Sequence, residues 1–523
     1  MKALLYAMSI IMVQLAVSCG NQMPNAAKQD TTKSLLREQQ SESLRGNTEE
    51  YAHIEENRFL SVSDQPLSTF SIDVDRAAYS NVRRFIEDGT LPPAGAVRIE
   101  EMVNYFDYTY PQPTGNDPFS VNTEVGDCPW NTRHKLIHIG LQGRNIPVGN
   151  LPDANLVFLV DVSGSMEAEN KLPLVKTSLK LLLKQLRDND RVAIVTYAGN
   201  AGLVLPSTKA TEKRKIENAI DNLEAGGSTA GGEGILLAYK VARANFLKNG
   251  NNRIILATDG DFNVGVSSES DLVQLVEHER ESGVYLTVLG YGMGNYKDNK
   301  MQQLADKGNG NHAYIDNESE ANKVLVKEFG GSLFTIAKDV KIQVEFNPAI
   351  VKSYRLIGYE NRLLGNEDFK DDKKDAGELG SGHTVTALYE IIPAGIHDEF
   401  DRDTDSLKYQ VKHTANNVAT ATNEIMTVKL RYKQPGGDKS KEIVHIISND
   451  VLDLNKTSEN FRFSAAVAEF GFLLVDSRYK KDASYTQLLS LAKDAKGKDE
   501  NGYRDEFISI VKKASTLSRN KEL

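Results

Sequence analysis

Oxygen-bearing side chains that lie far apart in the sequence have the types expected of a metal site. They are Asp161, Ser163, Ser165, Thr229 and Asp259. None of them offers sulfur or imidazole, and carboxylate and hydroxyl oxygens are the donors that suit hard cations such as Mg2+ or Mn2+. Because five protein groups do not fill the octahedron that Mg2+ prefers, the pattern predicts a cation site with one position open to water or a ligand.

Two apolar runs must position the carboxylates. Asp161 directly follows the run 155–160, Asn-Leu-Val-Phe-Leu-Val, and Asp259 follows the run 253–258, Arg-Ile-Ile-Leu-Ala-Thr. Both runs are continuously apolar rather than alternating, which is typical of parallel strands buried on both faces. The carboxyl ends of such strands meet at the ligand-binding edge of open α/β sheets, so we expect the two acids to lie together.

Around these two strands the sequence alternates strand and helix over residues 150–332. Strands are predicted near 155–160, 191–197, 202–205, 253–258, 284–290 and 312–316. The first helix after Asp161 has leucine and valine at three- and four-residue spacing, which marks one buried face. The alternation predicts an α/β fold with a doubly wound, Rossmann-like parallel sheet.

The oxygen set resembles the metal-ion-dependent adhesion site of von Willebrand factor type A (VWA) domains. The family pattern is Asp-x-Ser-x-Ser, a distant Thr and a distant Asp in Thr-Asp-Gly. It corresponds here to Asp161-Val-Ser163-Gly-Ser165, to Gly226-Gly-Ser-Thr229 and to Thr258-Asp259-Gly260. The resemblance implies a bound Mg2+ or Mn2+ and a protein partner that supplies a carboxylate to it. Neighbouring residues are expected to line the rim of the site: Gly164, Ser228, Asp261 and Asn263.

The flanking regions resemble those of bacterial YfbK-type lipoproteins. A small α/β region is predicted over residues 57–148, on the text Phe70-Ser-Ile-Asp-Val-Asp-Arg-Ala-Ala-Tyr and Val103-Asn-Tyr-Phe-Asp-Tyr. Residues 338–450 contain strand patterns separated by turns, which favour a β-sandwich-like module. Residues 458–516 return to a helical apolar stripe, so the C-terminal region is predicted over 338–520.

The first residues predict export and lipid anchoring rather than a folded element. Lys2 precedes an apolar stretch that is too short to span a bilayer and fits a signal peptide over residues 1–18. Leu15-Ala-Val-Ser-Cys19 resembles a bacterial lipobox, with lipid on the Cys19 thiol. Residues 19–56 are polar and predict a disordered tether. Gly20 after the cysteine favours the outer membrane, without indicating which face.

Composition narrows the class of function. A net charge of −10 disfavours nucleic-acid binding, which needs a basic face. We therefore hypothesise a non-enzymatic, cell-envelope binding protein that recognises an acidic group on a protein partner through a divalent cation. A metal-dependent hydrolase is the first alternative, although the sequence has no His-Glu-x-x-His pair and no Gly-x-Ser-x-Gly elbow. The second is an assembly subunit working with a separate ATPase, because this chain has no phosphate-binding loop for nucleotide.

Overall fold

The computed structural model describes residues 48–198, 200–227, 231–260, 269–328, 334–400 and 422–522. Glu49–Leu523 is one unit of the structure, separate from Met1–Thr48, and all elements below belong to it. The strands of the described residues are β1 (Leu60–Ser61), β2 (Leu67–Ser71), β3 (Phe119–Asp127), β4 (Lys135–Gly143), β5 (Ala154–Asp161), β6 (Arg191–Ala198), β7 (Asn200–Lys209), β8 (Asn251–Thr258), β9 (Val284–Tyr291), β10 (His312–Ile315), β11 (Thr335–Phe346), β12 (Val351–Ile357), β13 (Gly377–Gly380), β14 (Thr384–Pro393), β15 (Glu424–Lys433), β16 (Ser440–Ser448) and β17 (Val451–Leu452). The α-helices are Ala77–Glu87, Ile99–Asn104, Leu172–Leu183, Lys213–Asp221, Gly231–Ala244, Glu269–Arg280, Asp298–Lys307, Glu318–Asn322, Glu459–Leu474, Tyr485–Asp494 and Tyr503–Glu522.

A six-stranded sheet carries the predicted site. Its strand order is β10-β9-β8-β5-β6-β7, and all neighbours are parallel except the edge pair β6 and β7. Strand β5 is buried at every residue, as is β8, because each has neighbours on both sides and helices on both faces. The continuous apolar runs of the sequence are explained by this double burial.

The two faces of the sheet belong to two separate apolar cores. Leu156 and Phe158 of β5 join one core, together with Val175 of the helix Leu172–Leu183. Val157 of β5 joins the other core, together with Ile235 of the helix Gly231–Ala244. Alternate residues of one strand therefore bury on opposite faces, and the doubly wound α/β fold is confirmed.

The remaining strands form two sheets that pack around a shared core. One has the order β1-β12-β14-β4-β3-β17; the other has the order β13-β11-β15-β16, with β2 also paired to β11. Residues from both sheets, among them Ile139, Ile342 and Val428, bury together in this core. The predicted β-sandwich-like module is present, but it contains strands from both flanking regions. Strand β2 pairs with β11 through Phe70 and Ile342, and β4 pairs with β14.

The helices of the two flanking regions also share one core. Tyr79 of the helix Ala77–Glu87 and Met102 of the helix Ile99–Asn104 are buried with Phe463 and Phe507 from the C-terminal helices. The rings of Phe106 and Phe463 meet edge-on at 5.0 Å between centroids. The helices of the region predicted over residues 57–148 therefore share a core with residues that follow the six-stranded sheet in sequence.

Candidate metal centre

The carboxyl ends of β5 and β8 bring the two predicted carboxylates to one edge of the sheet. The strands run parallel and in register, with Val160 opposite Ala257, so Asp161 ends β5 beside the residues that end β8. The side chains of Asp161 and Asp259 are both fully buried. Burial of two acids in adjacent strand ends is costly unless polar partners or a cation compensate for it.

Asp161 is held by neutral donors. Its Oδ1 accepts a hydrogen bond from the backbone N–H of Ser163 at 2.9 Å. Its Oδ2 accepts from the Tyr197 hydroxyl at 3.1 Å and from Thr258 Oγ1 at 3.2 Å. Burial raises the pKa of Asp161 to about 6, although the hydrogen bonds from Ser163 act against that shift. A nearby cation would reverse the direction, since an opposite charge favours the ionised carboxylate.

The turn after β5 presents the two serine hydroxyls side by side. Ser163 Oγ and Ser165 Oγ are 3.1 Å apart, and a short 3-10 turn, Gly164–Glu167, follows Ser163. Ser163 is buried, whereas Gly164 and Ser165 are exposed. The hydroxyl side of the site therefore faces solvent, and the carboxylates form its floor.

Two backbone hydrogen bonds connect this turn to the loop that leads to Thr229. The N–H of Gly164 donates to the carbonyl of Gly227 at 3.2 Å, and the N–H of Gly226 donates to the carbonyl of Val162 at 2.8 Å. Gly227 has φ +87°, which glycine adopts without strain. Thr229 and Ser228 lie outside the described residues, so their predicted roles remain predictions.

Asp259 has charged as well as neutral partners. Lys171 Nζ donates to Asp259 Oδ2 at 2.8 Å and to Asn295 Oδ1 at 3.1 Å. Burial opposes ionisation of Asp259, but hydrogen bonds from Asn295, Lys171 and Ser165 together hold its pKa below the ordinary value. The two carboxylates thus differ: Asp259 is an ionised partner of a lysine, and Asp161 has the raised pKa of a buried acid.

The donors that the structure describes fit a hard divalent cation. Asp161, Ser163, Ser165 and Asp259 are brought together and offer only oxygen. Asp261 and Asn263, predicted at the rim, lie outside the described residues. In the part of the chain that the structure describes, no three His, Cys, Asp or Glu residues are grouped as a metal site, so a cation bound here would need the serine hydroxyls as well as the carboxylates.

Four residues that shape the site were not predicted as site residues. Tyr197 is the penultimate residue of β6, the neighbour of β5, and Thr258 directly precedes Asp259, so a position near a strand end was an available signal for both. Lys171 and Asn295 had no comparable signal. Lys171 precedes a helix and Asn295 lies in the loop after β9, and only the fold brings them together.

The predicted lipid anchor at Cys19 lies outside the described residues. Among the residues that are described, no helix is both long enough and apolar enough to cross a bilayer.

Comparison with known proteins identifies three segments. The von Willebrand factor type A domain model matches residues 155–328, and the model of the C-terminal region of uncharacterised protein YfbK matches residues 331–517. A further model, described as von Willebrand factor, matches residues 45–138. The first match covers the six-stranded sheet, in agreement with its fold.

The chain also resembles individual proteins and solved structures. Uncharacterised protein YfbK of Escherichia coli is 44% identical over 480 residues, which cover 90% of this chain and 82% of the relative. A protein of Synechocystis, sll0103, is 29% identical over 32% of this chain and 39% of its own length. The structure of a von Willebrand factor type A protein from Catenulispora acidiphila aligns over 76% of this chain and 91% of its own, with a TM-score of 0.42 and 15% identity.

The strand-end site lies within the segment matched by the type A model, and the flanking matches and the relative in E. coli together span most of the chain. The chain therefore belongs to the YfbK family, with a von Willebrand factor type A domain between its two flanking regions.

Proposed function

We propose that the protein binds a protein partner in the cell envelope by capturing one of its carboxylates at a divalent cation, Mg2+ or Mn2+. The observation that carries this proposal is Asp161, a fully buried carboxylate whose described hydrogen-bond donors are all neutral. It lies beside paired serine hydroxyls at a ligand-binding sheet edge. This arrangement is stabilised most directly by a cation.

The residues have distinct roles in this proposal. Ser163 and Ser165 would hold the ion with their hydroxyls, Asp161 and Asp259 would supply the negative charge, and Thr229 would complete the set. The ion, when bound, supplies a positive centre with a position left for an external oxygen. Because the serine side is exposed and the acid side is buried, the partner would approach over Gly164 and Ser165.

The surface beside the site supports a protein partner. Met293 belongs to the same loop as Asn295 and is 46% exposed. An exposed methionine offers an adaptable apolar contact next to a polar anchor, as protein interfaces commonly do. We therefore propose that the partner carboxylate reaches the ion while apolar groups of the partner cover this loop.

Anchoring is a second part of the proposal. Lipid on Cys19 would hold the protein at the bacterial outer membrane, with residues 19–56 as the tether. Cys19→Ser should release the protein into the soluble fraction of cells without changing its metal binding. A Cys19→Ser variant that remains with the membrane would contradict this anchoring.

The test of binding uses the soluble protein without residues 1–19 as an immobilised bait for envelope proteins. Asp161→Ala should lose every partner that wild type retains in Mg2+ and releases in a chelator. Asp188→Ala is the matched control, because Asp188 is an exposed aspartate of the same domain. A partner held equally by wild type and Asp161→Ala, with or without chelator, would contradict the proposal.

The two alternative functions are separated by their own assays. Mg2+-dependent turnover of ester, phosphate or peptide substrates, lost in Asp161→Ala, would favour a hydrolase. Capture that requires an added ATPase and nucleotide would favour the assembly role. The described groups that contact the two carboxylates are hydroxyls, an amide, the backbone N–H of Ser163 and a lysine already paired with Asp259. We infer binding because none of these described groups is an evident general base.

A further inference from the structure

Lys171 places a positive charge inside the candidate metal centre. Its ammonium group is 2.8 Å from Asp259 Oδ2 and 3.1 Å from Asn295 Oδ1, and its side chain is only 9% exposed. A lysine that is buried to this extent is costly unless a carboxylate compensates its charge. Asp259 therefore serves two cations: the lysine that the chain supplies and the ion proposed above.

The structure holds the lysine stem in a defined slot. A Cβ added to Gly292 would lie 2.3 Å from Lys171 Cε and 2.5 Å from Lys171 Cγ, so the stem runs directly over the glycine backbone. Gly292 has φ +73°, and its carbonyl accepts a hydrogen bond from the Tyr314 hydroxyl at 2.6 Å. The loop after β9 is thereby fixed in a shape that admits the lysine beside Asp259.

The position of Lys171 in the chain makes this pairing unusual. It directly precedes the helix Leu172–Leu183, where the positive end of the helix dipole disfavours a cation. The ammonium group is retained there because Asp259 and Asn295 accept its hydrogen bonds. If Asp259 also bound a second cation, it would hold the ammonium group of Lys171 less strongly.

We propose that Lys171 is a built-in counter-cation that competes with the divalent ion for Asp259. The inference rests on the proposed metal centre and deepens it. Without a divalent ion, the lysine stabilises the buried carboxylate. A divalent ion bound beside Asp259 would repel the ammonium group and weaken its hydrogen bond to that carboxylate, whereas Asn295 would remain as an acceptor.

The competition has opposite consequences for the ion and for the partner. Asp161, Asp259 and Lys171 together carry a formal charge of −1, which a divalent ion changes to +1. A methionine in place of Lys171 would make these values −2 and 0. Lys171 therefore weakens binding of the ion but leaves the loaded centre positive, which favours a carboxylate from a partner.

Calorimetric titration of Mg2+ into the soluble protein tests this inference. Lys171→Met keeps the length of the side chain and removes its charge, so it should bind Mg2+ at least about tenfold more tightly, equal to about 1.4 kcal/mol. Lys171→Arg keeps the charge and should show no such gain. Lys176→Met is the matched control, because Lys176 lies in the same helix and its Nζ bonds only the carbonyl of Asp221 among its described contacts.

Thermal unfolding supplies a second readout. In chelator, Lys171→Met should melt at a lower temperature than wild type. Its melting temperature should rise again in Mg2+, because the ion gives Asp259 the positive partner that the substitution removed. Equal or weaker Mg2+ binding by a folded Lys171→Met, beside a wild type that binds, overturns this inference and leaves the metal centre intact. Absence of Mg2+ binding by wild type and by Lys171→Met overturns both proposals. Binding by Lys171→Met alone supports the competition and shows that the lysine replaces the ion in wild type.

Discussion

Charge is buried at several points of the type A domain, and two of them differ in the partners of that charge. At the strand ends, Asp161 has neutral donors only among its described contacts. In the Arg83 cluster, defined here as Arg83, Asp316, Glu320, Glu506 and Tyr105, each of the three carboxylates has a guanidinium partner. Arg83 donates to Asp316 and Glu320 of the type A segment and to Glu506 of a C-terminal helix.

Buried charge alone therefore does not mark a functional site. The Arg83 guanidinium also bonds the Tyr105 hydroxyl at 3.1 Å, so a single side chain links helices of both flanking regions to the type A domain. That cluster is complete within the chain and has a structural role. Asp161 has no cationic partner among its described contacts, and this contrast is what motivates the proposed divalent ion.

The largest expected effect comes from breaking the Arg83 cluster. Arg83→Met should lower the free energy of unfolding by about 3–5 kcal/mol, because it leaves buried carboxylates without their counter-charge. Urea denaturation measures the loss. Lys496→Met is the control, since Lys496 forms an exposed pair with Asp505 that should contribute less than about 1 kcal/mol. If both variants lose the same free energy of unfolding, the Arg83 cluster does not have the structural role given to it.

A smaller effect on stability is expected at Glu469. This buried carboxylate belongs neither to the strand-end site nor to the Arg83 cluster. Its Oε1 accepts from the backbone N–H of Ser484, its Oε2 has no described partner, and burial raises its pKa to about 7. Since the unfolded group titrates near 4.5, folding is penalised increasingly as pH rises from 4.5 to about 7, and fully above that. Glu469→Gln should therefore stabilise the protein by up to about 3 kcal/mol at pH 8 and have little effect at pH 4.

Denaturation across this pH range checks the sign. Glu459→Gln, at the exposed start of the same helix, is the control and should be neutral or slightly destabilising, because an acid there interacts favourably with the helix N-terminus. If Glu469→Gln destabilises at pH 8, the carboxylate is stabilised as an anion. Glu469 would then be a second buried, ionised acid without a described cationic partner. The lack of such a partner would no longer distinguish Asp161 from other buried acids.

The smallest effect on stability is expected at Ser165. The residue is exposed, so Ser165→Ala should lower the free energy of unfolding by no more than about 1 kcal/mol, the net contribution of its hydrogen bond to Asp259. The same change should weaken Mg2+ binding about tenfold or more, which corresponds to about 1.4 kcal/mol. Ser207→Ala, at a serine of β7 far along the chain, should leave Mg2+ binding unchanged. Unaltered Mg2+ affinity in Ser165→Ala would remove this hydroxyl from the proposed site.

The sequence allowed the sheet and the acids at its edge to be predicted, because both depend on local patterns. The continuous apolar run before Asp161 predicts a buried strand, and it therefore predicts that the Asp161 carboxylate lies at the end of that strand. The pairing of β2 with β11 could not be predicted in the same way. Phe70 and Ile342 lie opposite each other in the sheet although more than half of the chain separates them in sequence. An apolar pattern indicates that a strand is buried, but it does not specify which strand pairs with it.

Lys171 illustrates a second limit. Nothing in the sequence near it distinguishes it from other lysines that begin helices. Its role depends on the missing side chain of Gly292, on the conformation of the loop after β9 and on Asp259 at the end of another strand. Three separate segments must fold before Lys171 can contact Asp259, so the local sequence around Lys171 does not predict this contact.

The most direct test of the central claim is calorimetric titration of Mg2+ and Mn2+ into the soluble protein, beside Asp161→Ala. The account predicts binding at one site in wild type and none in Asp161→Ala, with both proteins folded by circular dichroism. Binding of equal affinity in the two proteins, or none in wild type and in Lys171→Met alike, would contradict a metal centre at the ends of β5 and β8.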